Sequence, residues 1–207
     1  MVTTKKIDLF KQHRDEYVAR ESPSLVTVKK ARYLTIDGRG APGGKPFQAA
    51  AGALYAMAYT IKMTRKFEGK GDHVVGKLEA QYRNAGSDVP MDQWEWRMLI
   101  RTPEVVGKRD VDAAVGKLRD KGTSDPVGDV HLEDFREGPC VQMLHVGPYD
   151  REHETIASML RFAAAEGLEP HGLHHEIYLS DPRRVAPEKL RTILRMPVRR
   201  AGRGKKP

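Results

Sequence analysis

"CVQMLHVGPYDREHETIASMLRFAAAEGL", residues 140–168, reads as a strand, a Gly-Pro turn and a helix. The apolar run ends at Gly147-Pro148. Ile156, Met159, Leu160 and Ala163 then recur at three- and four-residue intervals, the spacing of one helix face. Gly167 is placed to cap that helix. The same order occurs earlier in "ARYLTIDGRGAPGGKPFQAAAGALYAMAYTIKM", residues 31–63, where Phe47, Ala50, Leu54, Met57 and Ile61 form the apolar stripe. An internal repeat governs the reading of everything around it, because a missed duplication misassigns the whole fold.

Two further strand-like runs follow each helix: "VGKLEAQYR" and "WEWRMLIRTP" in the first half, "LHHEIYLSD" and "KLRTILRMPV" in the second. The expected fold class is therefore α+β, with duplicated strand-helix-strand-strand units related by a pseudo-twofold axis around a central ligand cleft. Between the halves, "PEVVGKRDVDAAVGKLRDKG" carries Val105, Val111, Ala114, Val115 and Leu118 at helical spacing and stops at Gly122, a connecting helix. The expected organisation is an N-terminal helical or extended segment over 1–30, a domain over 31–200 with repeats at 31–102 and 129–198, and a disordered basic tail over 201–207.

The 207 residues are enough for a real core, and 39% hydrophobic with 31% charged residues is an ordinary globular balance. The start "MVTTKKIDLFKQHRDEY" mixes charges through its apolar positions, and no apolar run approaches membrane-spanning length, so a cytoplasmic protein is expected. The net charge of +8 would suit a nucleic-acid partner, but much of the excess lies in "RRAGRGKKP" and no recognition motif accompanies it. Nucleic acid is not an expected partner. Cys140 is the single cysteine, which excludes an internal disulfide, and no Cys/His spacing fits zinc; no metal and no cofactor are expected.

Strand alternation points to candidate site residues. In "WEWRMLIR", Trp94, Trp96, Met98 and Ile100 share one face. In "HHEIYLS", Ile177 and Leu179 share the face expected to meet the helix, so His174, Glu176 and Tyr178 look out from the other. Matching "KLEAQYR" to "HHEIYLS" pairs Glu79 with Glu176, two carboxylates at corresponding places in the repeats. Tyr55 and Tyr59 lie one turn apart on a flank of the first helix, and Tyr149 follows the Gly-Pro turn of the second half.

Other motifs read as structure. "GRGAPGGK" lacks the ending and spacing of a phosphate-binding loop and reads as a strand-to-helix turn. "HGLHH" reads as a polar turn, Cys140 as a buried thiol, and Ser180-Asp181-Pro182 as the turn that ends a strand.

Taken together, "KIDLFKQHRDEY", "YLTIDGRGAPGG", "ALYAMAYTIK", "LEAQYR", "WEWRMLIRTPEVV" and "HHEIYLSDPRRVAPEKLRTILRMPV" resemble the GyrI-like small-molecule-binding family, over almost the whole chain. That family includes gyrase-inhibitory proteins and the sensing domains of multidrug-responsive regulators. The leading segment and the paired Trp residues are most similar to its stand-alone branch, some members of which hydrolyse cyclopropane-bearing DNA-alkylating natural products. The roughly thirty residues before the domain are too few for a helix-turn-helix, so a transcription regulator is not expected.

The resemblance implies a cleft in which a strand carboxylate attracts cationic aromatic ligands, and the matching position is Glu176. The branch's Leu-Glu-Gly-Leu-Trp-like element falls on "LEAQYR" and adds Glu79, with Ala80 and Tyr82 departing from that pattern. On this reading Glu79 or Glu176 activates water, and Tyr55, Tyr149 or Tyr178 bonds the developing oxyanion. Trp94 and Trp96 stack on a flat substrate, with Tyr59 and Met98 completing the lining. The expected function is hydrolysis of cyclopropane-bearing genotoxic compounds. The alternatives are sequestration of flat cationic drugs or modulation of gyrase as a protein partner.

Overall fold

In the computed structural model, residues 6–84, 88–123 and 125–202 are described. In chain order the helices and strands begin α1 (Leu9–Gln12), α2 (Arg14–Tyr17), β1 (Ser24–Val28), β2 (Ala31–Arg39), α3 (Lys45–Phe67), β3 (Leu78–Tyr82) and β4 (Glu95–Thr102). They continue α4 (Lys108–Asp120), β5 (His131–Phe135), β6 (Gly138–Val146), α5 (Glu152–Ala165), β7 (Leu168–Pro170), β8 (His174–Tyr178) and β9 (Arg191–Arg200). The first run is β2-α3-β3-β4 and the second β6-α5-β7-β8-β9, with the short β7 between the helix and the last two strands, an α+β arrangement. Two compact units divide the chain: residues before 15 with 30–135, and 15–29 with 136 onward. The N-terminal segment expected as one piece is thus shared between the units. Residues 1–5 of that segment and 203–207 of the expected basic tail lie outside the described residues. No described helix is long and apolar enough to cross a membrane.

The first unit is an antiparallel sheet in the order β3-β4-β2-β5. α3 begins after Gly44, with a proline in its first turn, where the missing N–H has no partner to lose. Its stripe buries Ala50, Leu54, Met57 and Ile61 as the spacing predicts, and adds Ala53 and Ala58. The small residues let α3 lie close to the sheet face that carries Trp96, Met98 and Ile100, and Phe47 meets Trp96 edge-on at 5.3 Å. Each fully buried Leu, Met or Ile contributes roughly 1.5–3 kcal/mol to this packing.

Gly38 pairs with Trp96 across the strands, and a methyl group at Gly38 would fall inside the indole ring. Gly38→Ala is therefore expected to destabilise the unit by about 1–3 kcal/mol, the usual cost of overpacking a core. A urea unfolding curve with an unchanged midpoint would refute this. In α4, Val111, Ala114 and Leu118 are buried, whereas Val105 precedes the helix and is exposed, its neighbour Val106 being buried instead. Basic side chains on this unit are paired with acids: Arg97 with Asp37 and Glu133, Arg32 with Asp134.

The second unit orders its strands β1-β6-β9-β8, with β7 pairing the end of β9. Met159 and Ala163 of α5 pack on Val141, Leu194 and Val198, with Ile156, Met143 and Met196 beside them. Leu160, expected in the stripe, points outward. Cross-strand register then fixes the faces. Met143 and Glu176 both lie opposite Leu194, so Glu176 belongs to the face that α5 covers.

This reverses the expectation that Ile177 and Leu179 meet the helix. Ile177 instead shares the far face with Ile193, next to His175 and Arg195. There Arg195 donates to the Glu16 carbonyl at 2.5 Å and lies over the Tyr17 ring. A segment that read as an N-terminal extension supplies this cover.

The same logic corrects the pairing of Glu79 with Glu176. In β3 the residues on the α3 side are Leu78, Ala80 and Tyr82, in register with Ile100, Met98 and Trp96, and Glu79 faces away. In β8 the residues on the α5 side are His174, Glu176 and Tyr178. Relative to its own helix, Glu176 corresponds to Ala80, one residue from the expected match.

Candidate functional site

Glu152 is the first residue of α5, entered through Pro148 and a single 3-10 turn over Tyr149–Arg151. A carboxylate there complements the helix dipole. The turn also carries it to the helix-facing side of β8, beside His174 and Glu176. One donor atom from each of Glu152, His174 and Glu176 lies within 4.8 Å of the others, and His174 Nε2 is 3.3 Å from Glu176 Oε1. Glu152 and Glu176 are only 7% and 8% exposed. Oε1 of Glu152 is fully buried and has no hydrogen-bond partner among the described residues. Neither carboxylate has a Lys or Arg partner among the described residues.

Burial, then the negative charge of Glu176 and a hydrogen bond to it, hold the Glu152 carboxyl well above the ordinary carboxylate range. Two carboxylates at this distance and depth cannot both carry charge without a compensating cation, so in the bare protein a proton sits on Glu152. Tyr149 and Tyr178 stack edge-to-face at 6.0 Å at the same end of the sheet. Burial, with the charges of Glu152, Glu176 and Asp181, pushes the Tyr149 hydroxyl up to about 12, so it remains a hydrogen-bond donor throughout the physiological range. Chemically the group offers a base, an acid, a phenol donor and an imidazole. The His-Glu-Glu donor set also suits a divalent metal ion.

Of the residues expected at the site, Glu176, Tyr149 and Tyr178 come together here. The others lie in the first unit. Glu79 is fully buried on the sheet face away from α3, while Trp96 and Met98 are buried beneath α3 on the opposite face. Trp96 Nε1 donates to the Gly40 carbonyl at 3.0 Å, and no face of its ring is open for stacking. Trp94 is half-buried, donates to the Val89 carbonyl and packs edge-on to Tyr82 at 5.7 Å. Tyr55 is half-buried and Tyr59 exposed, their rings 6.4 Å apart.

Glu152 was not singled out from the sequence, since an acid in a first helical turn reads as dipole compensation. Cys140 is inert as expected: burial first, then Glu137, pushes its thiol up to about 12. A groove of about 330 Å3 lined by Leu25, Val26, Pro139, Leu168 and Val198 lies elsewhere in the second unit and contains none of these residues.

The GyrI-like small molecule binding domain model matches residues 21–199. A solved structure of an uncharacterized conserved protein from Listeria innocua is 40% identical, with TM-score 0.88, covering 94% of this chain and 100% of its own. A hydrolase from Listeria innocua is likewise 40% identical, with TM-score 0.85 and the same coverage. The EcmrR C-terminal domain, 10% identical with TM-score 0.58 over 87% of this chain and 98% of its own, shares the fold alone. Among curated proteins none matches. With the family model spanning 21–199 and both 40%-identical relatives covered end to end, the chain belongs to the GyrI-like small-molecule-binding domain family.

Proposed function

We propose that the protein is a hydrolase that opens the cyclopropane ring of flat, genotoxic natural products, with Glu176 as the base that activates water. The observation that carries the proposal is the burial of Glu176 on the helix-facing side of β8, next to Glu152 and the Tyr149–Tyr178 pair. The 40% identity to a Listeria innocua hydrolase supports a hydrolytic reading. Glu79, buried in the first unit, is the second candidate base.

In the reaction, Glu176 takes a proton from water as the oxygen bonds to the methylene carbon of the cyclopropane. The ring C–C bond breaks, and its electron pair passes through the conjugated dienone to the carbonyl oxygen. That oxygen becomes a phenolate and accepts a hydrogen bond from Tyr149. Passage of the Glu176 proton to the phenolate, directly or through solvent, regenerates the base, and the net change is addition of one water. General-base assistance contributes about 100- to 10,000-fold, and relief of ring strain supplies the driving force. The edge-to-face tyrosines offer aromatic surface against which a flat substrate can lie.

The test is incubation of the protein with a cyclopropane-bearing alkylator, followed by mass spectrometry. The expected product is the ring-opened adduct carrying one water, formed catalytically. Saturable binding of the compound without that adduct would replace this reading with sequestration, and loss of both would leave no role for the site in drug handling.

A further inference from the structure

We infer that Glu152, His174 and Glu176 form a binding site for a single divalent cation of the zinc type. The proposal goes beyond ring opening and does not depend on it. Two carboxylates are buried together without a Lys or Arg among the described residues; Glu152, more than nine-tenths buried, brings a carboxylate oxygen within 4.8 Å of the His174 and Glu176 donors, and its Oε1 has no hydrogen-bond partner among the described residues. Such an arrangement leaves buried negative charge and an unused lone pair, both of which a cation satisfies.

The donor set selects the metal. An imidazole with two carboxylates suits Zn2+ or Co2+, whereas Mg2+ and Ca2+ favour all-oxygen shells. Zinc bonds of about 2.0–2.2 Å in a tetrahedron place neighbouring ligand atoms roughly 3.3–3.5 Å apart. His174 Nε2 and Glu176 Oε1 already stand at 3.3 Å, one edge of that tetrahedron. The third donor lies within 4.8 Å, so closing the site asks for a side-chain adjustment of about an ångström at Glu152. Three protein ligands leave a fourth position open to water. The His174 side chain is 23% exposed, which gives the ion a route in. An ion there takes up the lone pairs of Glu176 and so withdraws it from acting as a base.

The probe is Co2+ added to chelator-stripped protein, followed by visible absorption and by competition with Zn2+. The expected result is one Co2+ per chain with the intense visible bands of a four- or five-coordinate site, displaced by stoichiometric Zn2+ and not by Mg2+. His174→Ala and Glu152→Gln should each weaken binding by about tenfold or more, because each removes a ligand. His174→Ala changes a partly exposed side chain, and melting of both variants in chelator distinguishes ligand loss from unfolding. Absence of the bands, or equal Co2+ affinity in folded His174→Ala and wild-type protein, would overturn the proposal. Neither outcome depends on hydrolysis. If ring opening is found, Zn2+ at stoichiometric concentration should inhibit it.

Discussion

Glu176→Gln is expected to slow cyclopropane opening by about 100- to 10,000-fold, the range that general-base catalysis supplies. Glutamine keeps the size of the side chain and a carbonyl acceptor, but it cannot take a proton from water. The substitution also removes a buried charge that has no Lys or Arg partner among the described residues, so the variant should melt no lower than wild type. Single-turnover rates measured by product mass, with ligand affinity determined in parallel, separate the effects. A variant that binds as tightly and turns over slowly supports the role of base. A variant that turns over at the wild-type rate excludes it. Glu79→Gln made alongside decides between the two candidate carboxylates, because only the variant that has lost the base loses rate.

The mixture of helices and antiparallel strands was legible because α3 and α5 carry apolar positions at helical spacing and each is entered through a Gly/Pro turn after a strand. The boundaries of the compact units were not. Residues 15–29 pair β1 with β6 and bring Glu16 and Tyr17 to Arg195, contacts more than a hundred residues away in sequence that no local period reports. Strand faces were harder still. Alternation says that Glu176 and Ile177 point opposite ways, but not which of them meets α5. An acid under a helix and an isoleucine away from it invert the usual expectation, and Glu152 and His174 stand beside the acid at the helix entry. Trp96 and Met98 are buried for the complementary reason. An aromatic strand face is more often a core face, and the small residues of α3 allow it to be covered completely. Sequence similarity singled out Glu176 as a candidate, and its neighbour Glu152 came only from the geometry.

Glu137→Gln is expected to destabilise the second unit by about 3 kcal/mol, through loss of a buried charge network rather than a cavity. The side chain is 3% exposed and precedes β6, where Gly138 at φ +78° turns the chain. Its Oε1 accepts from His175 Nδ1 at 2.8 Å and its Oε2 from Arg195 at 2.9 Å, while Arg195 also donates to Gln142 at 3.1 Å. Desolvation alone would raise this carboxyl; the charges and hydrogen bonds of His175 and Arg195 outweigh it and hold the group down at about 2. A carboxyl lowered by that much from its value in the unfolded chain corresponds to roughly 3 kcal/mol of stability. The direction with pH follows from the lowered value. The stabilisation is complete above the unfolded-state value near 4.5 and is lost as pH falls through about 2. The gap between wild type and Glu137→Gln in urea should therefore stay constant from neutral pH to about 5 and narrow steadily below about 4. Arg195, 1% exposed, loses the carboxylate that stands 2.9 Å from its Nη1, and a neutral amide of the same shape does not replace that charge. Equal urea midpoints for the two proteins at pH 7, or a gap that fails to narrow in acid, would refute this account of what holds β6, β8 and β9 together.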